Sequence, residues 1–214
     1  MLDQYSRNID YIRISVTDRC NLRCRYCMPD GAKWIPMSEI LTYEEIERIC
    51  REAVRIGITR FKITGGEPLV RKGCADLIRM IRQIPGTEEV TMTTNGVLLG
   101  ENLEDLLAAG LDAVNISLDT LKPEHYKSLT GGCHVDRNPS DGNLEAVLRG
   151  MQKAQKQAGI SVKVNCVLMH QTREELLALA ELAKDGVNVR FIELMPIGQG
   201  KEKHTLKEAE VKHI

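Results

Sequence analysis

The chain has 214 residues, 43% of them apolar and only 4% aromatic, so aliphatic side chains must build what is enough material for one large core. Lysine and arginine total 29 against 30 aspartates and glutamates, a balance that gives no global field to recruit nucleic acid or a membrane surface. The start MLDQYSRNID lacks the basic head and apolar run of a signal peptide, no stretch nears the ~18 apolar residues of a membrane span, and seven cysteines, an odd number, suit metal binding or buried thiols in a reducing cytoplasm.

In chain order, Tyr11 to Thr17 alternates Ile12, Ile14 and Val16 with Arg13, Ser15 and Thr17, the period of a strand with one apolar face. A loop with three cysteines follows. Thr42 and Glu45 make a capping box for a helix whose stripe is Ile46, Ile49, Cys50 and Ala53, and Gly57 stops it. A second strand over Arg60–Thr64 runs into the turn Gly65-Gly66-Glu67-Pro68, and Leu77, Ile78 and Ile81 mark the next helix. Strand three, Glu89–Thr94, closes on Asn95-Gly96 before a short helix with Leu103, Leu106 and Leu107. Strand four is Asp112–Leu118, and Pro123 suits the first turn of a helix to about Leu129. Residues 131–142 (GGCHVDRNPSDG) are turn chemistry without period and read as a surface insertion. A helix over Leu144–Ala154, strand five at Ser161–Leu168, a second capping box at Thr172 and Glu175 for a helix through Lys184, and strand six at Val187–Leu194 complete the pattern. Strands alternating with helices at this spacing predict a parallel α/β architecture.

The polar faces choose among such architectures. A parallel sheet covered on both faces has continuous apolar strands, yet here each strand has an aliphatic face and a polar one: Arg13; Lys62 and Thr64; Thr91, Thr93 and Asn95; Asn115 and Ser117; Lys163 and Asn165; Asn188 and Arg190. A closed barrel fills its interior with branched apolar side chains. The pattern therefore predicts a curved sheet, a partial (βα)6 TIM-like barrel, whose concave face lines a ligand cavity. Four lining residues are cations, Arg13, Lys62, Lys163 and Arg190. Unpaired buried charge is costly, so the lumen should receive an anion, a phosphate-bearing ligand by preference, with Glu67, Asp119 and Glu193 near strand ends as partial counter-charges.

Cys20, Cys24 and Cys27 have the spacing Cys-x3-Cys-x2-Cys. Thiolates suit zinc or an iron–sulfur cluster. Three thiolates on a cubane cluster leave its fourth iron open, whereas structural zinc needs a fourth ligand that must come from Cys133 or His134 in the insertion. Cys50 and Cys166 read as small core residues, and Cys74, at a helix start, as structural.

These residues resemble a known family. The cysteine loop with Tyr26 before its third cysteine, followed by GGEP after strand two, is similar to the radical S-adenosylmethionine superfamily. Within it, YIRISVTDRCNLRCRYCMP, KITGGEPLVR, TTNG, NISLDTL, VKVN and RFIELMPIG resemble the GTP 3′,8-cyclase family, which acts first in molybdenum cofactor biosynthesis; the likeness runs from about Leu2 to Gly198. The resemblance implies that Cys20, Cys24 and Cys27 ligate a [4Fe-4S] cluster and that Tyr26, Gly66, Ser117 and Met195 surround S-adenosylmethionine. It implies further that Arg13, Lys62, Thr93 and Lys163 face GTP, with Glu67, Asn165 and Arg190 as further candidates. Lys62 stands where family members can carry Arg, which exchanges a bidentate phosphate contact for a point charge. No side chain is required as a catalytic nucleophile, because the cofactor supplies the radical. A cellular reductant, a downstream pyranopterin synthase and a cytoplasmic location come with the family, and a homodimer is left open. Family members continue into a region with a second three-cysteine cluster, while no cysteine follows Cys166 here. The expected organisation is a barrel over 1–198 interrupted at 131–142, with 199–214 opening a C-terminal region that is otherwise missing. Two alternatives stay open: a radical enzyme acting on a peptide or other substrate, and a truncated cluster-binding protein without full cyclase activity.

Overall fold

The computed structural model describes residues 2–28, 34–131, 143–195 and 206–211. Six parallel strands lie in sequence order, β1 (Tyr11–Ser15), β2 (Arg60–Thr64), β3 (Glu89–Thr94), β4 (Ala113–Ser117), β5 (Ser161–Leu168) and β6 (Asn188–Glu193). Helices α1 (Tyr43–Arg55), α2 (Cys74–Arg82), α3 (Leu99–Ala108), α4 (Pro123–Thr130), α5 (Asn143–Gln155) and α6 (Arg173–Glu181) fill the crossovers, and the four-residue α7 (Glu208–Val211) lies beyond β6.

Local chemistry sets these elements. Both expected capping boxes form: Thr42 and Thr172 each accept the backbone N–H three residues on, while Glu45 and Glu175 reach back to the cap N–H. On α1 the buried stripe is narrower than its sequence suggests, since Ile46, Cys50 and Ala53 are buried but Ile49 is 47% exposed. The helix therefore presents only its i, i+4, i+7 line to the sheet. The helix expected to reach Lys184 gives way after Glu181 to a 3-10 turn over Leu182–Asp185. The insertion beyond Gly131 lies outside the described residues.

The core lies between helices and sheet. Ile63, Val90, Met92, Val114, Ile116, Val164 and Cys166 of the strands pack with Leu77, Ile78, Leu103, Leu106 and Val147 of the helices, all buried. On β5 the alternation is complete: Val162, Val164, Cys166 and Leu168 are buried, and Lys163 and Asn165 between them are half-buried on the opposite face. That opposite face is not wet throughout. At the centre of the sheet Thr91 and Asn115 are buried, Asn115 to 2% exposure, so the polar lining is most open along β1 and β6.

The sheet is strongly curved. The ammonium of Lys62 on β2 is disfavoured by burial and then by the charges of Arg13 on β1, Arg190 on β6 and Lys163 on β5, which together lower its pKa. In a flat sheet β2 and β6 would stand about 19 Å apart at ~4.8 Å per strand. Only a sheet curled toward a barrel gathers these four cations.

Candidate metal and substrate site

The cysteine loop leaves the carboxyl end of β1, and its backbone is clamped on both sides. On one side the GGEP turn docks against it: Gly66 N–H donates to the Thr17 carbonyl (2.7 Å) and Glu67 N–H to that of Arg19 (2.8 Å). This approach requires glycine, because a Cβ on Gly66 would lie 2.3 Å from the Arg19 carbonyl oxygen. On the other side Arg23 N–H donates to Thr130 O and Arg25 N–H to Leu129 O, both 2.9 Å, so the loop satisfies carbonyls that the end of α4 leaves open. Gly131 ends α4 at φ 69°, and a Cβ there would meet the Arg23 carbonyl oxygen at 2.8 Å.

Side chains complete the clamp. Arg71 donates to Val16 O (2.7 Å) and Leu41 O (2.8 Å) and stacks on Tyr43 at 4.1 Å, tying the start of the loop to the approach to α1. Arg23 donates to the carbonyls of Cys20 (2.8 Å) and Leu22 (2.9 Å). Tyr26 donates its hydroxyl to Asp119, just past β4, at 2.8 Å, and the other oxygen of that carboxylate accepts Val167 N–H at 2.7 Å. Cys27 and Met28 N–H both donate to Cys24 O, closing the last cysteines into one turn.

The three thiols come together at this end of the sheet. Burial pushes Cys24 up to about 12, with the nearby Asp119, Cys20 and Cys27 adding to it. Burial likewise raises Cys20 and Cys27. Without a cation these groups stay protonated; bound iron deprotonates coordinating thiols and releases protons. The Cys20 sulfur receives Leu22 N–H at 3.4 Å and the Asn95 amide at 3.9 Å, contacts suited to a thiolate. Among the described residues no group of three or more His, Cys, Asp or Glu side chains closes around a single metal ion. Thiolates are soft ligands, and three of them can each take one iron of a polynuclear cluster, so the donor chemistry fits such a cluster. The Cys133–His134 pair lies outside the described residues.

Beneath the loop, parallel register places Arg13 beside Lys62, Lys62 beside Thr91, Thr93 beside Asn115, Asn115 beside Lys163, and Asn165 beside both Ser117 and Arg190. Ser117 ends β4 half-buried, and Met195 lies two residues past β6, 64% exposed. Lys62 also lies 5.8 Å from the Tyr11 ring. The buried side-chain oxygens of Asn115 and Asn165 have no hydrogen-bond partner among the described residues.

The acids expected to balance the cations do otherwise. Glu67 is fully buried and accepts from Thr94 Oγ1 (2.7 Å), Asn95 N–H (2.6 Å) and Leu69 N–H (3.1 Å), so it holds the GGEP turn to the end of β3. Asp119 serves Tyr26 and Val167, and Glu193 pairs with Lys207 at 3.9 Å. Among the described residues, none of the four lumen cations is ion-paired. Sequence reading missed Asn21, Asn95 and Arg71 as residues that organise the loop; the TTNG turn was the one local sign of Asn95.

Fold and site together define a partial α/β barrel carrying a multi-thiolate site at the carboxyl ends of its strands. A family model for the radical SAM superfamily matches residues 14–183, and the chain belongs to that superfamily. It is 44% identical over 217 residues to a GTP 3′,8-cyclase of Clostridium perfringens, covering 100% of this chain and 64% of the relative. It is 46% identical over 201 residues to a GTP 3′,8-cyclase of Pelotomaculum thermopropionicum, covering 92% and 59%. The chain thus spans about three-fifths of the length of these relatives. Streptococcus suis SuiB bound to S-adenosylmethionine superposes with a TM-score of 0.77 at 18% identity over 95% of this chain and 45% of that one. HydG, a maturase of the [FeFe]-hydrogenase, gives 0.68 at 18% over 94% and 47%. At such identities the likeness is one of fold.

Proposed function

We propose that this chain is the radical-generating barrel of a GTP 3′,8-cyclase, a lyase of molybdenum cofactor biosynthesis. The observation that carries the reading is the convergence of four cations from β1, β2, β5 and β6 on one lumen below a three-thiol loop; the cyclase names of the relatives supply the substrate. Cys20, Cys24 and Cys27 hold a [4Fe-4S] cluster, and Tyr26, Gly66, Ser117 and Met195 border S-adenosylmethionine. Together these two groups, when bound, would supply the radical chemistry that removes hydrogen from the GTP ribose. Arg13, Lys62, Lys163 and Arg190 bind the triphosphate, and Thr93 and Asn165 offer polar contacts beside it. The chain's work is placement: its cations fix the phosphates and its sheet sets the ribose below the loop.

Residues 1–198 form the barrel in this reading, and 199–214 begin the segment that continues in the longer relatives. The free thiols suit a cytoplasmic setting, where a cellular reductant supplies the electron and a pyranopterin synthase takes the product. Among the described residues no helix is long and apolar enough to cross a membrane. The test is mass spectrometry of an anaerobic reaction with reductant, S-adenosylmethionine and GTP. 5′-Deoxyadenosine is expected, and its absence would remove the radical chemistry; 3′,8-cyclo-GTP beside it would extend the assignment to the whole cyclisation, whereas 5′-deoxyadenosine alone would mark an incomplete substrate site.

A further inference from the structure

The sulfur of Cys20 is approached from two directions, and one approach is long-range. Leu22 N–H belongs to the loop itself, but Asn95 comes from the turn that closes β3, 75 positions along the chain. Asn95 is held at its backbone N–H and at both ends of its side-chain amide. Its N–H donates to Glu67 (2.6 Å), its Oδ1 accepts Val97 N–H (3.0 Å), and its Nδ2 donates to Asn21 Oδ1 (2.7 Å) while facing Cys20 at 3.9 Å. The carboxylate that anchors it is fully buried. Asn21, adjacent to Cys20, is 2% exposed, and its own Nδ2 has no acceptor among the described residues. An orphaned buried donor is costly, and it lies on the residue whose Oδ1 holds the Asn95 amide beside the Cys20 sulfur.

We propose that Asn95, held in place by the Asn21 carbonyl, donates an amide N–H that raises the reduction potential of the cluster through the Cys20 side. The inference rests on the cluster reading above. Reduction adds one negative charge that spreads over the sulfurs, so an N–H pointing at them stabilises the reduced form more than the oxidised one; hydrogen bonds to sulfur are among the features that set such potentials. Both are positioning residues, and neither needs to touch a substrate. Glu67 contributes by holding the Asn95 backbone, which keeps the amide from following its turn away from the loop.

The test compares wild type, Asn95→Ser and Asn21→Ser, each reconstituted anaerobically, by iron content and by redox titration followed by electron paramagnetic resonance. Serine at 95 keeps a short hydroxyl acceptor for Val97 N–H but loses the reach to Cys20, and neither change alters net charge. The expected result is wild-type iron content with a roughly tenfold lower ratio of reduced to oxidised cluster at fixed ambient potential, about 59 mV more negative for one electron. Iron-replete variants at the wild-type potential would overturn the proposal and leave the cluster reading standing. Loss of iron from both variants would overturn it too, by making the amides structural. If only Asn95→Ser loses iron, Asn21→Ser decides. Wild type that assembles no cluster would remove the cluster reading, and this inference with it.

Discussion

The two ends of the site are built on opposite principles. The loop end is held from several sides within the chain: GGEP on residues 17–19, the end of α4 on residues 23–25, Arg71 on the Val16 carbonyl, and Asp119 on the Tyr26 hydroxyl. In the lumen four cations gather with no ion-pair partner among the described residues, Glu89 offsets only part of their effect on Lys62, and Glu67 and Glu193 are engaged elsewhere. The first end is organised before anything binds. The second stores like-charge repulsion that an anionic ligand relieves. Substitutions should therefore cost stability at the loop and cost binding in the lumen.

The largest effect is expected at Gly66. Gly66→Ala places a Cβ against rigid backbone, so urea denaturation should show a loss of about 1–3 kcal/mol, with iron per chain falling in parallel; an unchanged midpoint and full iron would break the clamp account. Arg71→Met removes two charge-assisted hydrogen bonds to carbonyls and should cost ~2 kcal/mol in the same measurement. In the lumen the sign reverses. Lys62→Met should leave the ligand-free protein equally stable or about 0.5 kcal/mol more stable, while weakening inorganic triphosphate binding roughly tenfold by calorimetry. Loss of stability without loss of affinity would mean that Lys62 is structural.

Two buried carboxylates sharpen the comparison through pH. Burial pushes Glu67 up to about 7, only partly offset by its three hydrogen bonds, from Asn95, Thr94 and Leu69. Its folded form binds more protons than the unfolded one between the ordinary carboxylate range and pH 7, so its contribution to stability declines as pH rises through that window. Glu175, on the outer side between α4 and α6, is also worked upward by burial, but hydrogen bonds from Thr120 and His125, both 2.6 Å, outweigh it and hold the group down to about 2. Its contribution is present above about pH 4.5 and is lost as pH falls toward 2. Denaturant midpoints read from pH 3 to 8 should show Glu67→Gln flattening the neutral limb and Glu175→Gln the acid limb.

Much of the fold was legible because it is local. Capping boxes at Thr42 and Thr172 and the Val-Lys-Val-Asn alternation of β5 write their structure within a few residues. The lumen cations were legible too, since period-2 alternation assigns a face to each. What the sequence hid depends on contacts across 27 to 75 positions. Arg71 reaching Val16 and Asn95 facing Cys20 leave no periodic trace, and Glu67 looked like a counter-charge until its hydrogen bonds placed it at the foot of β3. The wetness of the sheet's centre was overread: Thr91 and Asn115 alternate correctly, but the curl of the sheet covers them.

The central claim is that three thiolates of one clamped loop hold a cluster above a cationic lumen. Iron and acid-labile sulfide counted in anaerobically reconstituted wild type and Cys24→Ala test it most directly. About four irons with matching sulfide per chain are expected in wild type, falling sharply in Cys24→Ala together with S-adenosylmethionine cleavage. A Cys24→Ala protein that kept its full iron and cleavage, or a wild type that held one zinc and no sulfide, would contradict the account.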